Sequence, residues 1–281
     1  MYSLLVFNLK LIEYPNGSMQ IRKYSNLITN KKPIDEYEMN EQHNYIPDGY
    51  SEDPFTGKLV RVHEGYESWE DLEKQREENK FRNANRTKQM VYQYARSCNW
   101  EWFITLTFSK DKVDRYNFDE CSKKCRQWLH NQRKNAPNLQ YLVVPEQHKD
   151  GAWHFHGLLA NTGNMKFIDS GLKDKGVPIY NMVKYQYGFT TATKVKSIEK
   201  VSKYIGKYIT KSVCDLTVGK QRYFVSQNLP QPKVSTFYIP EDENSLELIN
   251  QLITSMGKEI AHVSQTQAKE CYTQVTYIEL T

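Results

Sequence analysis

The sequence predicts an α+β fold in which helices pack on an antiparallel sheet, and three observations lead there. Residues 103–108, Phe-Ile-Thr-Leu-Thr-Phe, form a β-rich, largely apolar run of the kind that makes a buried strand. Residues 139–148 and 152–160 are two more strand-like runs, joined through Lys149-Asp150-Gly151 in the pattern of a hairpin. Between them, residues 119–134 read as an amphipathic helix with Cys121, Cys125, Trp128 and Leu129 on its apolar side. Strand, helix, strand, strand, helix is an α+β order.

From the N-terminus, residues 4–14 and 19–24 are strand-like runs around Pro15-Asn16-Gly17-Ser18, a hairpin signal. Residues 31–78 are acidic and broken by proline and glycine, which predicts an irregular, solvated segment. Residues 79–98 look helical and basic. Beyond the central hairpin, a loop-like stretch leads to a strand over 187–195 and then a helix over 197–211, with Ser197 as N-cap. Residues 221–227 are a strand candidate before a proline-rich exit, and 245–263 a C-terminal helix. The expected organisation is an N-terminal hairpin with an acidic extension (1–80), a central catalytic unit (81–240) and a C-terminal helix and tail (241–281).

The 281 residues carry 38 Lys and Arg against 33 Asp and Glu, a net charge of only +5. Its distribution says more. Residues 33–78 hold 14 acidic and 4 basic side chains, whereas residues 86–211 hold 22 basic and 10 acidic ones. Such a split predicts that the second region meets a polyanion and the first does not. No run approaches the ~18 apolar residues of a membrane span, and the N-terminal apolar stretch is too short for a leader. Five scattered cysteines argue for a reducing, intracellular setting over a disulfide framework.

Two constellations could carry chemistry. Side chains alternate across a strand, so His154 and His156 share one face while Trp153 and Phe155 take the other. Two such imidazoles can bind one metal ion. If Lys149-Asp150-Gly151 is a three-residue loop, Glu146 lies opposite His154 and is the third ligand, with His148 in reserve. With a two-residue turn Gln147 would face the histidines instead. The second constellation is Tyr204-Ile205-Gly206-Lys207-Tyr208, where positions four apart lie on one helix face. Lys200, Lys203, Lys207 and Lys211 rim it with positive charge. The plainer readings are solvent-facing histidines and tyrosines that only pack a helix onto the sheet.

Together, FITLTF, EQHKDGAWHFHGLL and YIGKYITK resemble, in order and spacing, the three motifs of rolling-circle replication initiators of the HUH endonuclease superfamily, in the two-tyrosine phage and plasmid branch. The likeness covers roughly residues 85–235. It implies a five-stranded antiparallel, ferredoxin-like sheet backed by helices. It further implies that His154, His156 and Glu146 hold Mg²⁺ or Mn²⁺, which polarises the scissile phosphodiester. Tyr204 or Tyr208 would attack phosphorus, leaving a 5′-phosphotyrosine link and a free 3′-OH. Lys207 would stand by the nucleophile. Thr105 and Thr107 would lie near DNA, with Lys200, Lys203, Lys211, Lys123, Lys124 and Arg126 along its phosphates. Glu199 could activate water in place of one tyrosine.

The implied partner is single-stranded or extruded origin DNA in the cytoplasm of a bacterial host, with no membrane. No Walker-type phosphate loop (GxxxxGK followed by Ser or Thr) occurs, so unwinding would fall to a separate helicase, and synthesis to a separate polymerase. The rivals are an HUH transposase or relaxase, a non-catalytic nucleic-acid-binding module, and a zinc protein using Cys121 and Cys125 with the two histidines.

Overall fold

A computed structural model describes residues 6–29, 50–52, 59–61, 69–217, 219–240, 244–267 and 273–281. In chain order the elements are β1 (Val6–Glu13), β2 (Met19–Thr29), β3 (Tyr50–Glu52), β4 (Leu59–Arg61), α1 (Trp69–Arg96) and β5 (Trp102–Phe108). Then follow α2 (Phe118–Gln132), β6 (Gln140–Gln147), β7 (Trp153–Ala160), β8 (Phe167–Asp174), β9 (Val177–Met182) and β10 (Gly188–Lys194). The chain closes with α3 (Ile198–Ile205), a 3-10 turn (Gly206–Tyr208), α4 (Lys211–Leu216), β11 (Phe224–Val225), β12 (Lys233–Phe237), α5 (Ser245–Ser255), β13 (Ile260–Gln267) and β14 (Gln274–Leu280). The class is α+β as expected, but the strands form two main antiparallel sheets. One has the order β11-β6-β7-β5-β10-β9-β8 and the other β12-β1-β2-β14-β13. The expected sheet of five strands is therefore replaced by one of seven, with a second sheet beside it.

The seven-stranded sheet divides two cores by simple alternation. Along β5, Trp102, Ile104, Leu106 and Phe108 face α2, where Cys121, Cys125, Trp128 and Leu129 meet them with Trp153 and Phe155 of β7. The opposite face carries Leu142, Val144 and Leu158, covered by Val91 and Ala95 of α1 and by Ile205 and Ile209. Asn117 caps α2 by accepting from the amides of Asp119 and Glu120.

Several elements depart from expectation, each for a local reason. Helix α1 begins at Trp69, ten residues before the expected start, because Glu, Lys, Arg and Gln are strong helix formers even where their charge suggests a solvated loop. The rest of the acidic segment lies largely outside the described residues. The helix expected over 197–211 is broken: Gly206–Tyr208 tightens to a 3-10 turn, and Thr210 caps a new helix by accepting from the Val213 amide. The stretch 161–186, expected as loop, holds the β8–β9 hairpin closed at Lys175-Gly176, both with positive φ. The C-terminal helix stops at Ser255 because Gly257, at φ +62, takes the left-handed position that ends a helix. Beyond it the chain returns as β13 and β14.

β14 pairs with β2, so the two ends of the chain share one sheet. That sheet is tied to α1 through a buried ion pair. Arg96 and Glu279 meet at 3.0 Å, and Glu279 also accepts from Tyr92 at 3.1 Å and Gln20 at 2.7 Å. Removing one partner of such a pair leaves a buried charge unmatched. Glu279→Ala is expected to lower unfolding stability by about 3–5 kcal/mol in a denaturant titration, and Glu279→Gln by clearly less. Among the described residues no helix is long and apolar enough to cross a membrane.

Candidate active site

The central hairpin has the register of a three-residue loop. Glu146 pairs with His154 and Val144 with His156, and the His148 amide donates to the Ala152 carbonyl at 2.9 Å. Gly151 closes it at φ +86, a conformation that glycine adopts without strain. The Asp150 carboxylate accepts from the Ala152 amide at 3.1 Å and helps fix the bend.

Four adjacent strands then lay out a grid on the face away from α2. Its outer row reads Phe189, Thr107, His154, Glu146 from β10 through β5 and β7 to β6. The next row reads Thr191, Thr105, His156, Val144, and the third Thr193, Phe103, Leu158, Leu142. Burial grades across it. Leu142 and Leu158 are sealed under helices, His156 is buried, and His154 and Glu146 are half-buried.

Each imidazole is held at Nδ1. Thr105 Oγ1 lies 3.1 Å from His156 Nδ1, and Thr107 Oγ1 lies 3.2 Å from His154 Nδ1. When Nδ1 donates to the threonine oxygen, Nε2 keeps its lone pair for a metal, the arrangement common around metal-binding histidines. Both threonines thus serve the histidines, a use that only the β5–β7 register reveals. His156 Nε2 meets Glu146 Oε2 at 2.6 Å. His148 stacks on His154 with ring centres 3.7 Å apart, and its Nε2 is 3.6 Å from the same carboxylate oxygen. The hydrogen bond from His156 chiefly holds the Glu146 carboxyl below its usual range, so it is ionised. Burial, with the adjacent His148 and His156, pushes His154 down to about 4, so it is neutral.

One carboxylate and neutral imidazoles on one face are a chemically suitable donor set for a divalent cation. The donors are drawn together by hydrogen bonds to each other. Among the described residues no three His, Cys, Asp or Glu side chains already frame a common metal position. A bound ion would take the place of the His156–Glu146 hydrogen bond.

The tyrosines stand over this patch. Ser197 caps α3 by accepting from the Lys200 amide, and Ile205, fully buried, anchors its last turn. Tyr208, on the 3-10 turn, stacks on His156 with ring centres 3.7 Å apart and planes 8° off parallel. Tyr204 crosses Phe103 edge to face at 5.4 Å and stays 46% exposed. The Tyr208 hydroxyl donates to the Tyr204 hydroxyl at 2.9 Å, although the two residues lie on different helical pieces. Burial first, then that hydrogen bond and the negative Glu146, push the Tyr208 phenol well above its usual range.

The cations fall into two groups. Lys207 lies 5.8 Å from the Tyr204 ring centre, Lys200 is exposed on α3, and Lys203 pairs with Glu199 at 2.8 Å. Glu199 is thereby held as a carboxylate. The side chain of Lys211 lies outside the described residues. Lys123, Lys124 and Arg126 are on α2, across the sheet from the histidines. Lys124 covers Tyr187, and Arg126 covers Phe224. Cys121 and Cys125 are free thiols buried on that same far side, so they share no site with the histidines. Sequence reasoning passes over Phe189, whose only signal is its place on a strand able to pair with FITLTF.

Residues 101–213 match a family of replication-associated proteins, the ORF2 type. That segment contains both histidines, Glu146 and both tyrosines, and the match supports a role in replication initiation. No curated protein and no solved structure matches the chain.

Proposed function

We propose that this chain nicks and rejoins single-stranded origin DNA, starting rolling-circle replication of a phage or plasmid through a 5′-phosphotyrosine intermediate. The observation that carries the reading is the stack of Tyr208 on His156, which joins the tyrosine pair to the histidine–carboxylate patch. His154, His156 and Glu146, with His148 adjacent, would hold Mg²⁺ or Mn²⁺. Such an ion supplies charge neutralisation at the non-bridging oxygens of the scissile phosphate.

The protein's own groups divide the remaining work. Tyr204 is the accessible phenol, so its oxygen attacks phosphorus. The Tyr204 O–P bond forms as the bond from phosphorus to the 3′ oxygen breaks, and the phenolic proton ends on the departing 3′-OH after passage through solvent. No net charge or redox change accompanies the exchange. Tyr208 keeps its proton during that step and donates to the Tyr204 oxygen, where negative charge develops. In the second transfer Tyr208 is the fresh phenol that takes the next phosphate. Lys207 adds positive charge beside the reacting oxygen. Thr105 and Thr107 hold the imidazoles in place, and Lys200 and Lys203 on α3 line the approach of the strand.

The test is direct. Purified protein with Mn²⁺ and a single-stranded origin oligonucleotide should give a nicked product and a covalent adduct visible on a denaturing gel. Excess EDTA should abolish both, and Mn²⁺ in excess over the chelator should restore them. Adduct formed equally well in EDTA would remove the metal from the mechanism. A gel shift with no adduct under any metal would favour a binding module.

A further inference from the structure

We propose that Phe189 is a stacking platform for a base of the single strand, placed next to the scissile phosphate. The proposal builds on the nicking function above and names a residue which that reading did not use.

Phe189 is the most exposed large apolar side chain among the described residues, at 74%. Isolated surface apolar residues are common and need no special account. Its address sets this one apart. On β10, Thr190 and Ala192 turn toward α2 and are buried, while Phe189 and Thr191 turn to the histidine face and stay open. Phe189 pairs with Thr107, whose hydroxyl holds His154, so it stands two strands from the imidazole in the same row. Two inter-strand spacings amount to about 10 Å, the reach of a nucleotide or two. The deeper rows lie under helices, whereas this row has no cover.

The occupant should be a nucleic-acid base. The platform is continuous with the proposed phosphate site, it belongs to the strongly basic 86–211 stretch, and an aromatic ring stacks any base without reading its sequence. Thr107 and Thr191 beside it present hydroxyls to a sugar–phosphate backbone and no competing apolar surface. On the other flank stands Tyr204, so the strand would run between one aromatic that stacks a base and another that attacks the phosphate.

Binding of a fluorescein-labelled dT20 strand, read by anisotropy with Mg²⁺ across a salt series, tests this. Phe189→Ala should weaken binding by about 5- to 100-fold, from the cost of losing one base–aromatic stack. The slope of log Kd against log salt should stay as in wild type, because no phosphate contact is removed. Phe189→Tyr should bind like wild type, and Leu172→Ala, a comparably open apolar change on β8, should do nothing. Wild-type affinity in Phe189→Ala, or a tyrosine variant as weak as the alanine one, would overturn the proposal. So would a Phe189→Ala variant whose sedimentation alone changes, since the ring would then be holding another copy of the chain. Failure of the wild-type protein to bind dT20 at low salt would strike the DNA reading itself, which separates the two failures.

Discussion

Tyr204→Phe is expected to cut formation of the first covalent adduct by at least about 10³-fold while leaving the fold and DNA affinity nearly unchanged. The substitution deletes only the attacking oxygen, and the ring keeps its edge-to-face contact with Phe103. Tyr208→Phe is expected to be milder in the first transfer, roughly 10-fold, since it removes one hydrogen bond to the Tyr204 oxygen and retains the stack on His156. In the joining step the order reverses, because Tyr208 is then the nucleophile. Single-turnover nicking and joining assays on both variants separate these roles. Equal loss in both variants at both steps would contradict the division of labour.

The second large effect concerns the patch beneath the tyrosines. His156→Ala is expected to lower nicking by about 10²–10³-fold at fixed Mn²⁺. It removes the Nε2 donor, the partner of Glu146 and the surface on which Tyr208 lies. His154→Ala and Glu146→Gln should each cost activity that higher Mn²⁺ partly restores, because they weaken a donor set without moving the tyrosines. The companion measurement is Mn²⁺-dependent thermal stabilisation, which should be clear in wild type and absent in His156→Ala. A His156→Ala protein with wild-type nicking would remove the histidines from the chemistry.

How far the sequence alone reaches depends on the range of each interaction. The register that sets Glu146 opposite His154 follows from three consecutive residues, Lys149, Asp150 and Gly151, and is readable as one of two countable cases. The shared face of His154 and His156 follows from strand alternation. The roles of Thr105 and Thr107 are not readable, because they depend on pairing between β5 and β7, some fifty residues apart. Phe189 needs a further pairing, β10 with β5. The break at Gly206–Tyr208 is masked by periodicity that continues through it, and only the capping geometry of Thr210 exposes it. β13 and β14 are hidden for a different reason: β14's partner is β2, more than 240 residues away, and no local pattern announces such a pairing. Nor does a helix's own sequence say which side of a sheet it will cover, which is why the basic residues of α2 give no hint that they lie across from the histidines.

The measurement that bears most directly on the central claim is the identity of the residue that carries the DNA. After a single turnover with Mn²⁺ and an origin oligonucleotide, the adduct is digested with protease and nuclease, and the nucleotide-bearing peptide is sequenced by mass spectrometry. The modified residue should be Tyr204 when the first transfer is trapped, with Tyr208 labelled only once joining proceeds. A modified peptide that contains neither tyrosine, or an adduct that persists in the Tyr204→Phe/Tyr208→Phe double variant, would contradict it.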